Sequence, residues 1–250
     1  MVHFFGKIKI RLLFIISGLF LFSSLNAQYG NLTSIHVYGG YSTVSMLYPD
    51  NYMKDLSKHD KEPELLTGGY KLGMFAGVGF NDVEVGPKVE YLQLFEGGLN
   101  QEGYKLKTSG RLIPVMAALK YNYRPYRQSY FIYGGYMAFG VGFAQAQMPH
   151  YLYKKMDDPM VQLASNGIMM EVMGNVDFEV IVNFVISLSA GYRFCNIPEM
   201  KYTSKVTTED NITLHSGGEI FQDKLGRGVE FNYSGWSFNI GVAILFDYEW

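Results

Sequence analysis

The chain has 250 residues, a formal net charge of -2 and a single cysteine. It therefore has no basic footprint for nucleic acid, and one thiol cannot close an intramolecular disulfide. Its 20 tyrosines, 18 phenylalanines and 28 glycines, at a mean hydropathy of zero, suit strands that alternate in polarity and exclude a bundle of long apolar helices.

The chain opens with Lys7, Lys9 and Arg11, then an apolar run over 12–25 closed by Asn26-Ala27. This pattern is that of a secretory signal peptide over 1–27, with cleavage after Ala27 and a mature domain over 28–250. The run is shorter than the roughly 20 residues a spanning helix needs, so a membrane anchor is the weaker reading. No cysteine lies near the junction to carry a lipid.

Downstream, segments of period two follow one another. A first strand over 32–46 sets Ile35, Val37 and Tyr41 against His36, Tyr38, Gly40 and Ser42, and a polar loop over 47–66 follows it. A second strand over 67–80 carries Tyr70, Leu72, Met74, Ala76 and Val78 on one face and turns at Asn81-Asp82. A third over 83–95 opposes Val83, Val85, Val89 and Tyr91 to Glu84, Gly86, Lys88 and Glu90, with Pro87 marking an edge or a bulge. A loop over 96–109 leads to a fourth strand over 111–123, which ends at the Arg124-Pro125 turn.

The fifth strand, over 130–145, alternates Phe131, Tyr133, Met137, Phe139, Val141 and Phe143 with small residues. After a loop over 147–166, a sixth strand places Ile168, Met170, Val172, Val176, Phe178 and Val180 opposite Glu171, Asn175, Asp177 and Glu179. Asn183 alone marks the boundary to a seventh strand over 186–195. A loop over 196–230, with alternation that points to strand extensions or a separate hairpin, precedes the closing strand over 231–250. There Trp236, Phe238, Ile240, Val242, Ile244, Phe246, Tyr248 and Trp250 share one parity, and small or polar residues the other.

Successive side chains of a strand point to opposite faces, so each segment separates an apolar stripe from a polar one. The closing alternation exceeds the roughly 9–11 residues of a tilted membrane-spanning strand, whereas soluble strands average about 5–6. Eight such strands with long and short connections in turn predict an all-β fold, an eight-stranded antiparallel up-and-down transmembrane β-barrel.

The stretch over 111–123 carries Ile113-Pro114 and Lys120-Tyr121, and it resembles the "IPLLLKY" strand of the outer-membrane β-barrel domain family, the porin-like or PorT-like barrels. The Ala27-Gln28 junction and the aromatic closing strand are also similar to that family. The resemblance implies an eight-stranded barrel of the OmpA/OmpX type in the Gram-negative outer membrane. It implies no particular activity, although one family member is tied to a protein-secretion apparatus.

Eight strands enclose an interior that side chains roughly fill. Lys71, Lys88, Lys120 and Arg193 are expected there against Glu84, Glu90, Glu171, Asp177, Glu179 and Asp247, as a lumen charge network. The alternative is a small diffusion pore, given a weak cation preference by the acidic excess. A rim enzyme acting on lipid, or a secretion component, comes third. Ser57, His59 and Asp60 form the nearest approach to a catalytic constellation, and a solvated loop explains them; His36, His150 and His215 show no catalytic or metal-ligand spacing. The expectation is thus a non-enzymatic, cofactor-free and metal-free monomer in the outer membrane. Its partners would be the lipid and a surface ligand or protein at the long loops.

Overall fold

The computed structural model describes residues 32–56, 64–80, 82–101, 104–126 and 129–246. Eight long strands form a closed ring: β1 (Leu32–Thr43), β2 (Gly68–Phe80), β3 (Val83–Leu94), β5 (Tyr104–Tyr123), β6 (Phe131–Pro149), β7 (Met160–Ile181), β8 (Phe184–Ile197) and β13 (Gly235–Leu245). Each pairs antiparallel with its neighbours, and β13 returns to β1 through Ser34↔Leu245 to Ser42↔Ser237. Closure leaves none of the eight ring strands with an edge in the ring ladder.

Alternation decides which chemistry faces which way. From Met169 to Phe178, β7 is buried at every odd residue and exposed at every even one. Ile240 and Phe139 are 61% and 62% exposed, whereas Glu171 and Arg193 are wholly buried. Apolar outside and charged inside reverses the order of a soluble barrel. Such a surface is stable only against hydrocarbon, where a closed ladder satisfies every backbone group. Aromatic residues gather toward the two ends of the exposed band: Tyr41, Tyr70 and Trp236, with half-buried Tyr192, at one, and Tyr123, Tyr130, Phe131 and Phe178 at the other. Edge-to-face contact between Tyr192 and Trp236, with centroids 5.5 Å apart, belongs to the first girdle.

Two prolines sit inside this ring, on strands paired at both sides. The β2–β3 ladder has no pairs at Gly86 and Pro87, although Pro87 pairs with Ala117 on β5; Pro114 pairs with Gly142 on β6, and the β3–β5 ladder skips from Val89↔Val115 to Leu92↔Leu112. Each proline lacks the N–H that would serve one neighbour, so only one ladder opens and no bulge is needed.

Connections are short at the end where β1 begins and long at the other. Val182-Asn183 makes the tightest described turn, with Asn183 at a φ of 68°, a left-handed position that asparagine tolerates. The long-loop end is more ordered than the sequence reading expected. The segment read as a loop over 47–66 contains α1 (Leu47–Leu56), because Pro49, Tyr52, Met53 and Leu56 recur at helical spacing and are buried. Pro49 fits the first turn, where its missing N–H is no loss. The loop read over 96–109 is a hairpin of β4 (Gly97–Gln101) and the extended β5. The loop read over 147–166 shrinks to 150–159, since β6 and β7 continue pairing through Pro149↔Met160.

Beyond β8 lie β9 (Lys201–Tyr202), a separate hairpin of β10 (Val206–Thr207) and β11 (Thr213–His215), and β12 (Phe231–Asn232). β12 pairs with β8 through Phe231↔Ile197, within the closing strand read from the sequence, so of the two arrangements expected over 196–230 the separate hairpin is the one that forms. The signal segment, Ser57, His59, Asp60, Tyr248 and Trp250 lie outside the described residues.

Candidate functional site

The lumen is stacked in levels along the barrel axis, each built by inward positions at matching register. At the loop end it is apolar: Leu92, Leu94, Leu112, Leu163, Met169, Ile197 and Tyr233 fill it. The sequence reading had expected a largely filled polar lumen. α1 closes the mouth over them. Its Tyr52 hydroxyl donates to the Pro149 carbonyl at 3.0 Å, Thr108 donates to Met53 Sδ at 3.2 Å, and Tyr52 meets the Phe221 ring edge-on at 5.2 Å. Lys224 Nζ then donates to the Asp55 carbonyl at 3.2 Å, tying the 198–230 segment to the helix.

Below lies a central charged layer. Glu90 and Glu171 are shared among Lys71, Lys88 and Arg193, all with side chains 0–1% exposed. Lys71 Nζ is 3.3 Å from Glu90 and 3.0 Å from Glu171, Lys88 contacts both carboxylates, and Arg193 Nη2 donates to Glu90 at 3.2 Å. Tyr38 and Tyr136 complete the layer: the Tyr38 hydroxyl donates to Glu90 at 2.7 Å, and Lys88 donates to the Tyr136 hydroxyl at 2.8 Å. Gly73 leaves room for the Tyr38 ring, which a Cβ there would overlap.

A second layer lies toward the turn end. Glu84 accepts from Ser34 at 2.6 Å and from Asn122 at 3.0 Å, with His36 Nε2 3.8 Å away. Lys120 donates to Asp177 at 2.8 Å, and Ser187 donates to the other Asp177 oxygen at 2.5 Å. Beneath it, Arg124 Nη2 meets Glu179 at 2.7 Å.

Nine of the ten expected lumen charges thus face the interior, split between two layers and the Arg124–Glu179 pair; Asp247 lies outside the described residues. Among the described residues, Lys71, Lys88, Lys120, Arg124 and Arg193 face Glu84, Glu90, Glu171, Asp177 and Glu179. Arg124, read as a turn residue, reaches back to Glu179, and with Asp247 outside the described residues this set holds five cations and five carboxylates. Tyr38, Tyr136, His36 and Ser34 were also missed as partners. Their only signal was parity, which placed them on the polar face of their strands. No group of three or more His, Cys, Asp or Glu is arranged to hold a metal among the described residues.

Above the membrane, His150 is buried under the cap. Its Nδ1 accepts the Leu152 N–H at 3.1 Å, so Nε2 carries the proton toward the Tyr202 hydroxyl at 3.0 Å. Burial first, and then the nearby His215, push His150 down from its ordinary 6.5 to about 4. Protonation would also set a second N–H against that of Leu152. A histidine depressed in the folded state contributes stability that is complete above the unfolded value, and that stability falls as the pH drops from 6.5 toward about 4. Protease sensitivity of the cap is therefore expected to rise across that window, and the His150→Gln variant is expected to flatten the profile. An identical profile in the variant would remove His150 from the account.

These features define a transmembrane β-barrel of eight strands whose lumen holds buried ion pairs. No family model and no curated protein matches the sequence. Among solved structures, the chain is similar to the Neisserial surface protein A at 12% identity and a TM-score of 0.45, over 85% of this chain and 96% of that one. It is similar to the outer membrane protein OprG from Pseudomonas aeruginosa at 13% identity and a TM-score of 0.44, over 87% and 97%. The outer membrane protease OmpT from Escherichia coli matches at 10% identity and a TM-score of 0.42, over 86% and 94%.

Proposed function

We propose that this chain is an outer-membrane barrel that passes no solute, and that its working surface is the ordered cap at its long-loop end. The cap carries this reading. Met53, Leu99, Phe221 and Phe231 are completely buried there over the mouth, while charged residues such as Lys154, Glu209, Asp210 and Lys224 lie in the connecting segments. A chain that spends three segments sealing its own mouth presents a fixed outer surface rather than an entry funnel. Export through the 1–27 signal, a monomeric state, and recognition of a surface ligand or protein belong to the same reading, which assigns the barrel no reaction.

The test is excision of residues 204–217, the hairpin that packs on the cap through Val206 and Leu214, with a two-residue turn in their place. Tyr202 and Glu219 already pair at its base through the Tyr202 N–H and the Glu219 carbonyl at 2.9 Å. The shortened chain is expected to assemble as a heat-modifiable barrel while surface-dependent phenotypes of the cell, such as adhesion and aggregation, are lost. Phenotypes indistinguishable from those of the full chain would end the surface reading.

A further inference from the structure

The outer surface of the barrel carries one ionised side chain where its apolar stripes end toward the cap. On β5 the outward positions run from Tyr121 through Leu119, Ala117, Val115 and Ile113, and the next residue of that parity is Arg111, half-buried. The residue in the corresponding place on each other ring strand is neutral, with Thr43 on β1, Gln93 on β3, Gln145 on β6, Asn166 on β7 and Asn196 on β8 among them. An arginine at such a boundary lays its stem along the apolar stripe and holds its charge at the level of the lipid headgroups.

The neighbours of Arg111 orient it without neutralising it. Gln93 and Gln145 are its register partners on β3 and β6. Arg111 Nε donates to Gln145 Oε1 at 2.6 Å, which fixes the plane of the guanidinium. Gln93 is occupied elsewhere: its Oε1 accepts from the Tyr91 hydroxyl at 2.7 Å, and its Nε2 donates to the Gly110 carbonyl at 3.2 Å. Both Nη groups of Arg111 and the Nε2 amide of Gln145 are left without a hydrogen-bond partner among the described residues. Four residues further out on the same face, Lys107 is exposed and already paired with Glu96 at 2.6 Å.

The free edge of the guanidinium presents parallel N–H donors, a geometry that matches two oxygens of a phosphate. Its floor is apolar: next to Arg111 on the membrane side lie Ile113, Val115 and Phe143, the last two 44% and 49% exposed. An inorganic anion touches the fork alone, whereas an amphiphile with a phosphate at its polar end uses the fork and the floor together. We infer that Arg111 and Gln145 form a headgroup site for a phosphorylated lipid of the leaflet on the cap side. Its phosphate lies on the two Nη groups and the Gln145 amide, and its acyl chains lie along the β5–β6 stripe. Gln145 is the positioning residue, and Arg111 supplies the charge.

Native mass spectrometry of the full chain, purified from membranes in a neutral detergent, tests the site. The chain is titrated with phosphatidic acid and with phosphatidylcholine of the same acyl chains, and inorganic phosphate serves as competitor. One phosphatidic acid per chain is expected to be retained, at least tenfold more tightly than phosphatidylcholine and undisplaced by equimolar inorganic phosphate. Arg111→Gln is expected to weaken retention about tenfold, the scale of a charged hydrogen-bond pair. Arg111→Lys should weaken it too, since the charge stays and the fork is lost, while Lys107→Gln stays within twofold of the unaltered chain. The comparison of the two lipids on the unaltered chain decides the matter even if a variant does not fold. Equal retention of both lipids, displacement by inorganic phosphate, undiminished binding in Arg111→Gln, or an equal loss in Lys107→Gln overturns the inference.

Discussion

Replacing Glu171 with leucine is expected to cost about 3–5 kcal/mol of barrel stability, or to prevent the chain from reaching its heat-modifiable form. Glu171 contacts Lys71 and Lys88 directly and lies 3.8 Å from Arg193. Its loss leaves three buried cations facing Glu90 alone. The attraction inside such a layer is large only because water is absent, and for the same reason an uncompensated charge there has no cheap alternative. A second substitution separates charge balance from packing. Lys88→Met combined with Glu171→Leu removes one charge of each sign and restores the native difference between cations and carboxylates. Most of the loss should then return, since buried ion pairs exchanged for apolar groups are often neutral in stability. The comparison is made by urea unfolding in lipid vesicles. A single variant as stable as the unaltered chain would show that the central layer does not hold the barrel together.

The second large effect is expected on the opposite face. Ile240 sits midway along β13, 61% exposed, between Gly39 of β1 and Leu188 of β8. If that face meets hydrocarbon, Ile240→Arg should cost about 2–4 kcal/mol in a bilayer, the range for a cation at the midplane of a barrel. Were the same face wet, an exposed isoleucine changed to arginine would shift stability by less than about 0.5 kcal/mol, as surface substitutions usually do. The unfolding free energy of this variant in vesicles thus tests which face of every strand meets lipid, and a cost near zero would reverse the assignment.

Much of this architecture can be read in the residues because a strand repeats every two. Trp236, Phe238, Ile240, Val242 and Ile244 announce a lipid face whatever surrounds them, and Glu171, Asn175 and Asp177 announce the lumen. What escaped the reading lies where other periods or distant partners decide. The helix α1 is amphipathic at a period of 3.6, but its buried stripe, Pro49, Tyr52, Met53 and Leu56, is short and broken by Asp50, Lys54 and Asp55. The continuation of β6 and β7 above the membrane depends on each strand finding the other, which neither sequence shows alone. Arg124 joins the interior because its long side chain reaches Glu179 from the turn. The apolar outer level of the lumen, from Leu92 to Tyr233, follows from a cap that covers it, so those inward positions need not be polar.

The closed lumen is the central claim, and single-channel recording of the refolded chain over 28–250 tests it most directly. The protein is delivered to a planar bilayer in vesicles that also carry a marker pore, so that each fusion event is seen. Fusion without protein-dependent conductance steps is the predicted result, since α1 seals the mouth and the Glu90–Glu171 layer blocks the bore. Discrete, ion-selective steps whose cation preference falls when Glu171, Asp177 and Glu179 are changed to glutamine would contradict it and place those carboxylates along a conducting path.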